Sequence, residues 1–170
     1  MCKVNDIILY GSRGICEITQ IAELNMSGTS QNYYILKPVE NRDSTIYVPV
    51  DNEALKSKMR QVLSADEIHK LIQSMPTEDS IWIENESERK EVYRKMIARG
   101  DRTELIQIIK TLYVHQQEQK EKGKKLHVSD EQYLKEAEKL LYDEFALVLN
   151  MRVDQVLPFI MEQIELQEKD

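Results

Sequence analysis

Arg89, Lys90, Arg94, Lys95 and Arg99 crowd one short stretch of this chain, and phosphate binding is the chemistry that such a spacing could support. At about 100° per residue, Val92, Tyr93, Met96 and Ile97 form one apolar stripe of a helix expected from about 86 to 99. Lys90, Arg94 and Lys95 fall on its flanks and outer side, where their charges face solvent whatever the packing. Arg89 falls within the apolar stripe itself. It is either a buried structural arginine with a carboxylate partner or a phosphate anchor at an exposed helix end. The alternative for the whole helix is a solvated face with local pairs such as Glu91 to Lys95, each worth a few tenths of a kcal/mol.

Catalytic chemistry finds no matching pattern. His69, His115 and His127 lie on different elements, without a neighbouring cysteine or a paired carboxylate at ligand spacing, so no metal site is expected. A Gly-rich phosphate loop and a nucleophile elbow are both missing. Cys2 and Cys16 form no metal-type pair, and reduced thiols are the expected state. No enzyme, no cofactor and no small-molecule substrate is expected.

The net charge of −7 hides an uneven distribution. Residues 89–125 carry eleven Lys or Arg against five Asp or Glu, whereas residues 126–170 carry four against eleven. An acidic protein repels nucleic acid, so any DNA contact is expected within the middle segment. A hydrophobic content of 41% with 31% charged residues, over 170 residues, suits a soluble globular chain of one ordinary domain or two small ones. No apolar run approaches the length that spans a bilayer, and Met1-Cys2-Lys3-Val4-Asn5-Asp6 lacks a signal-peptide core, so a cytoplasmic location and no membrane partner are expected.

The elements that must position these residues change character near residue 60. Before it come short runs, β-branched or aromatic at the centre and bounded by turn residues, predicting strands at about 6–10, 14–24, 31–38 and 44–49. So few short strands suit a small, strongly curved barrel with one edge open to a partner. Gly11 and Gly14 flank a turn where positive φ would be cheap. After residue 60 the apolar period becomes helical. Leu105, Ile108, Ile109 and Leu112 make one stripe, Tyr133 to Leu149 a longer one, and Val153, Val156, Leu157, Ile160, Met161 and Ile164 a third. Ser64 to Glu67 and Ser129 to Gln132 read as capping boxes, and Asp101 with Glu104 serves the same purpose after Gly100. Pro158 should kink or loosen the last helix. Ser74 to Ser80 and Gln116 to His127 read as a loop and as a frayed helix end with a mobile connection.

Several of these segments, taken in order, resemble the CarD/CdnL family of bacterial transcription regulators. They are Lys3-Val4-Asn5-Asp6, Tyr10-Gly11-Ser12-Arg13-Gly14, the Tyr-rich strand Tyr33-Tyr34-Ile35-Leu36-Lys37, the strand Ile46-Tyr47-Val48-Pro49, and Arg99-Gly100-Asp101. The resemblance implies an α+β chain: a small Tudor-like β-barrel at 1–55 that binds RNA polymerase, followed by an all-α helical domain at 60–170 that contacts DNA. It implies that the strand Ile46-Tyr47-Val48-Pro49, through Ile46, Tyr47 and Pro49, meets the polymerase β subunit, with Leu24 at another position of that surface. Some relatives carry basic residues at the places of Leu24 and Tyr47, so an apolar or edge-strand contact is expected here instead. It also implies that Trp82 wedges into the minor groove at the upstream edge of the promoter bubble, beside Arg89, Lys90, Arg94 and Lys95 on the phosphates. Trp82 lies farther ahead of Arg89 and Tyr93 than in the family, and a tryptophan between Ile81 and Ile83 equally suits an inter-helix anchor.

The expected function is therefore a regulator that holds the polymerase β subunit through its barrel and weakly touches promoter DNA through its helices, stabilising open complexes. The competing expectation is a protein-only adaptor whose barrel grips a partner while the helices serve as scaffold.

Overall fold

In the computed structural model, which describes residues 2–169 and side chains as far as residue 166, the chain divides into two compact units, 1–62 and 63–170. The first unit is a curved antiparallel sheet in the order β4-β3-β2-β1-β5, formed by β1 (Ile7–Tyr10), β2 (Ile15–Met26), β3 (Thr29–Pro38), β4 (Ile46–Pro49) and β5 (Met59–Gln61). The second unit is helical. The fold class expected from the sequence, α+β with a strand domain ahead of a helical one, is the fold found.

Turn chemistry sets the sheet. Gly11 and Gly14 take φ of 49° and 78°, the first in a 3-10 turn and the second just after it, and Tyr10 N donates to Gly14 O across the bend at 3.0 Å. Ser27 and Gly28, with φ of 57° and 80°, close the β2–β3 hairpin in a two-residue turn whose twist matches the strands. That turn carries the ladder past the expected strand ends, through Leu24↔Gln31 to Met26↔Thr29. A bulge between Ile18 and Gln20 puts Ile21, rather than Gln20, on the face of the buried Tyr34. Ile8, Tyr10, Cys16, Ile18, Leu36 and Val48 fill the barrel's own core around Tyr34. Burial pushes the Cys16 thiol up to about 11, so it stays protonated and unreactive at neutral pH.

Two elements of this unit escaped the sequence reading. Asn52 caps a short helix α1 (Glu53–Lys56) by accepting from Leu55 N at 3.1 Å, and β5 then returns to pair with β1, Leu9 facing Arg60. The strand domain therefore runs to 62 rather than ending at 55. Nor does the sheet close by backbone pairing. Among the described residues β4 and β5 are both edges, where one open edge was expected.

The helical unit comprises α2 (Ala65–Ser74), α3 (Glu86–Arg99), α4 (Arg102–Glu121), α5 (Val128–Leu149) and α6 (Val153–Lys169), with a 3-10 turn at Met75–Thr77. Its core is separate from that of the barrel and gathers Ile72, Tyr93, Met96, Leu105, Ile108, Leu112, Leu141, Phe145, Val156 and Ile160. The capping box at Ser64 and Glu67 forms in full, and Asp101 accepts from Glu104 N at 3.0 Å. Glu104 does not reach back to complete a box, because its carboxylate is taken by Arg99.

The capping box expected at Ser129 does not form. Helix α5 begins two residues earlier, at Val128 with His127 in the N-cap position, Ser129 Oγ is buried without a hydrogen-bond partner among the described residues, and the Asp130 carboxylate is turned to Arg89. The stretch from Gln116 stays helical to Glu121, since Gln, Glu and Lys favour helix and nothing breaks it before Gly123. Helix α6 runs unbroken through Pro158. No helix among the described residues is long and apolar enough to cross a membrane, and no cluster of His, Cys, Asp and Glu among them could hold a metal ion.

Candidate functional site

The tripeptide Ile81-Trp82-Ile83 lies in the irregular stretch between α2 and α3, and its conformation is fixed from several sides. Thr111 Oγ1 on α4 accepts from Ile81 N at 2.7 Å, and the Tyr93 hydroxyl on α3 donates to Ile81 O at 2.6 Å. Burial pushes the Tyr93 phenol up to about 12, which keeps it a donor. Arg89 supplies the next fixing point. Its Nε and Nη2 donate to the two carboxylate oxygens of Asp130, both at 2.9 Å, and Nη1 donates to Ile83 O at 2.9 Å. The hydrogen bonds that Arg89 donates to the Asp130 carboxylate hold the guanidinium above its ordinary range, against the opposing effect of burial.

The Trp82 ring is half-buried and flanked by two groups. Imidazole of His115 stacks on it at 3.8 Å between ring centres with 24° between planes, and the Arg89 guanidinium carbon lies 4.4 Å from the ring centre. Its Nε1 donates to Glu84 Oε1 at 3.1 Å. The two alternatives for Arg89 are thereby resolved. With relative exposures of 3% and 1%, Arg89 and Asp130 form a buried ion pair, so Arg89 is not a phosphate anchor and leaves the DNA-facing set. Trp82 packs against the helical core while keeping part of its surface open. Replacing it with alanine removes a stacked ring, a cation–π partner and a hydrogen bond together. Trp82→Ala is expected to lower the melting temperature by at least about 4 °C, and an unchanged melting curve would show that the ring contributes nothing to packing.

Lys90, Arg94 and Lys95 lie, as expected, on the solvent side of α3, with relative exposures of 46%, 62% and 60%. Each finds an acid on the same helix. Lys90 Nζ is 3.2 Å from Glu86, Arg94 Nη2 is 3.0 Å from Glu91, and Lys95 Nζ is 3.4 Å from the same Glu91. His127 adds Nδ1 at 3.6 Å from Glu86. Hydrogen bonds from Lys90 and Arg94 hold the carboxyls of Glu86 and Glu91 below their ordinary range. With Arg89 neutralised by Asp130, this face is closer to balanced than the sequence count suggests. Exposed pairs of this kind contribute only about 0–1 kcal/mol, so the three cations can exchange their carboxylates for phosphates at little cost.

In the barrel, strand alternation divides the residues expected to face the polymerase. Tyr47 opposes Ile35 and Pro49 opposes Tyr33 across the β3–β4 ladder, and Leu24 opposes Gln31 on the same side of the sheet. Ile46 opposes Leu36 on the other side and leans on the barrel core, so it is separated from the other three. Tyr47 is 44% exposed, with its ring edge-on to Tyr33 at 6.4 Å. Its strand is a sheet edge, and its outer backbone groups take no part in the ladder. The parts that His115, Asp130 and Tyr33 play here are not expected from the sequence. Only Asp130 had a signal, since an arginine inside an apolar stripe requires a carboxylate somewhere.

Residues 2–63 match the CarD-like/TRCF RID domain, and residues 67–160 match the CarD C-terminal domain. Between them the two matches span nearly all the described residues, and they meet where the two compact units divide. The chain belongs to the CarD family. Family members are non-enzymatic regulators that interact with RNA polymerase, and a transcription-associated, polymerase-interacting function follows for this CarD-like chain. In it the RID-type domain carries Leu24, Tyr47 and Pro49 on one face of the sheet, the last two on the edge strand β4 and Leu24 on β2. The CarD C-terminal domain carries Trp82 and the α3 cations.

Proposed function

We propose that this chain binds the β subunit of RNA polymerase through the β4 edge of its barrel and that its helical domain touches promoter DNA, prolonging the life of open complexes. The observation that carries the proposal is the exposed Tyr47 on an edge strand of a polymerase-interacting domain. An aromatic side chain beside unpaired backbone groups suits a strand-to-strand contact in which main chain supplies affinity and side chains specificity. Leu24 and Pro49 extend the same face. Ile46 contributes from within, by packing β4 onto the barrel core.

The DNA half rests on Lys90, Arg94 and Lys95, together with Trp82, whose ring lies against Arg89 of the same helix. The protein is acidic and the α3 cations are locally paired, so free duplex binds weakly. The contact acts once polymerase holds the chain close and raises its effective concentration. A second reading, a protein-only adaptor, is favoured by one observation: Trp82 is flanked by His115 and Arg89 and contributes to the helical core. In that reading the helices are scaffold and DNA is never touched.

Tyr47→Glu tests the polymerase half. Placing a charge in a largely desolvated contact is expected to weaken capture of polymerase by about tenfold or more, roughly 1.4 kcal/mol, with the melting curve unchanged because Tyr47 is exposed. Full-strength capture by Tyr47→Glu would remove β4 from the interface.

A further inference from the structure

The third apolar stripe, on α6, is only half used. Val156 and Ile160 are buried in the helical core, whereas Val153 and Met161 are 48% and 52% exposed. Helices α4 and α6 both pack on α5, with no comparable packing between α4 and α6 themselves. The space left over α5 is a pocket of about 490 Å³, walled by Ile109 and Val114 of α4 and by Leu157, Met161 and Ile164 of α6, with Leu141 of α5 beneath. Val114 is itself 51% exposed. Lys110 is the one charged residue in the lining, and its ammonium already donates to the carbonyls of Met75, Pro76 and Glu78 at 3.4, 3.0 and 2.6 Å. Apart from Lys110 and the hydroxyl-bearing Tyr113 and Tyr142 the lining is aliphatic, which gives a polar small molecule few groups to orient it. An apolar helix face needs none.

The lip of the pocket says what should flank that face. From 153 to 166, α6 carries Asp154, Glu162 and Glu165 and no lysine or arginine. Asp154, Met161 and Glu165 are spaced i, i+7 and i+11, which lines the two acids up with the exposed methionine along one side of the groove. Asp154 also pairs with the exposed Arg152 at 3.2 Å, a weak surface contact that a partner's cation can replace. Beyond Val114 on α4, Glu118 is 62% exposed and Glu121 follows one turn later. We propose that the α4–α6 pocket is a docking groove for an amphipathic helix of a partner protein, one with apolar residues at i, i+3 or i+4, and i+7 and with Lys or Arg on either flank. A second copy of this chain does not fit the description. Its one basic amphipathic helix, α3, already buries Tyr93, Met96 and Ile97 in its own core, and two acidic lips would repel one another. The proposal is independent of the polymerase and DNA contacts, which involve other surfaces.

Two designed helical peptides of about four turns test it, with identical leucines at i, i+3, i+4 and i+7 but flanked in one case by lysines and in the other by glutamates. Titrated against the intact chain and read by fluorescence anisotropy, the lysine peptide should bind saturably, with the glutamate peptide about tenfold weaker or worse. Val114→Gln with Met161→Gln alters two exposed side chains and should abolish binding without shifting the melting curve. Asp154→Lys with Glu165→Lys should reverse the preference between the peptides. Equal binding of both peptides, or binding indifferent to the glutamine pair, would overturn the proposal. So would sedimentation showing a dimer that the glutamine pair dissociates, which would make a second copy the occupant. Saturable uptake of the apolar dye 1-anilinonaphthalene-8-sulfonate with no uptake of either peptide would overturn it in favour of a small apolar ligand.

Discussion

Asp130→Ala should destabilise the helical domain by about 3–5 kcal/mol, the cost of leaving a buried guanidinium without its carboxylate. Arg89 is fully enclosed, its two donors to Asp130 have no solvent to turn to, and it lies against Trp82, which would lose its positioning as well. The loss should appear in urea unfolding as a lower midpoint with a little-changed slope, since the folded core is the same size. Arg89→Met with Asp130→Leu should recover most of it, because apolar residues of similar volume need no partner in that site. A single Asp130→Ala that unfolds within about 1 kcal/mol of the parent would mean that Arg89 can swing out to solvent. In that case Arg89 would return to the set of candidate phosphate contacts.

The second large effect is expected from reversing charge on α3. Lys90→Glu with Arg94→Glu changes the exposed face by four charge units and should abolish the lengthening of open-complex lifetime while leaving polymerase capture intact. Both side chains are exposed and their pairs with Glu86 and Glu91 are weak, so stability should move by no more than about 1 kcal/mol. The parent's effect should fade as salt rises, as expected when lysines and arginines displace counterions from phosphate. Open complexes as long-lived with the double reversal as with the parent would transfer the proposal to the adaptor reading.

The parts of this fold that were legible from sequence are those set by local period and local caps. The four longer strands alternate or cluster β-branched residues, and the stripes through Leu105 to Leu112 and Tyr133 to Leu149 fall on faces that are buried. Strand β5 left no such trace. Met59-Arg60-Gln61 is too short to show a period, and what makes it a strand is β1, far away in sequence. Ser129 misled for a related reason. Its capping pattern was sound locally, but Asp130 answers to Arg89, forty-one residues away, and a buried charge outranks a cap.

The site residues divide the same way. Lys90, Arg94 and Lys95 were placed correctly on the solvent side because helical phase alone decides that. The partners of Trp82 were not foreseeable, since His115 reaches it only through the packing of α4. Ile46 could have been separated from Tyr47 by strand alternation alone, since adjacent strand residues face opposite sides of a sheet.

The central claim is that the strand domain is the polymerase-binding part. Its most direct test is the affinity of the isolated β subunit for residues 1–62 and for residues 63–170 as separate chains, each of which has its own core. The prediction is that 1–62 binds β within about threefold of the whole chain, that Tyr47→Glu in that fragment weakens it about tenfold or more, and that 63–170 binds no better than background. Undiminished binding of β by 63–170, with none by 1–62, would contradict it.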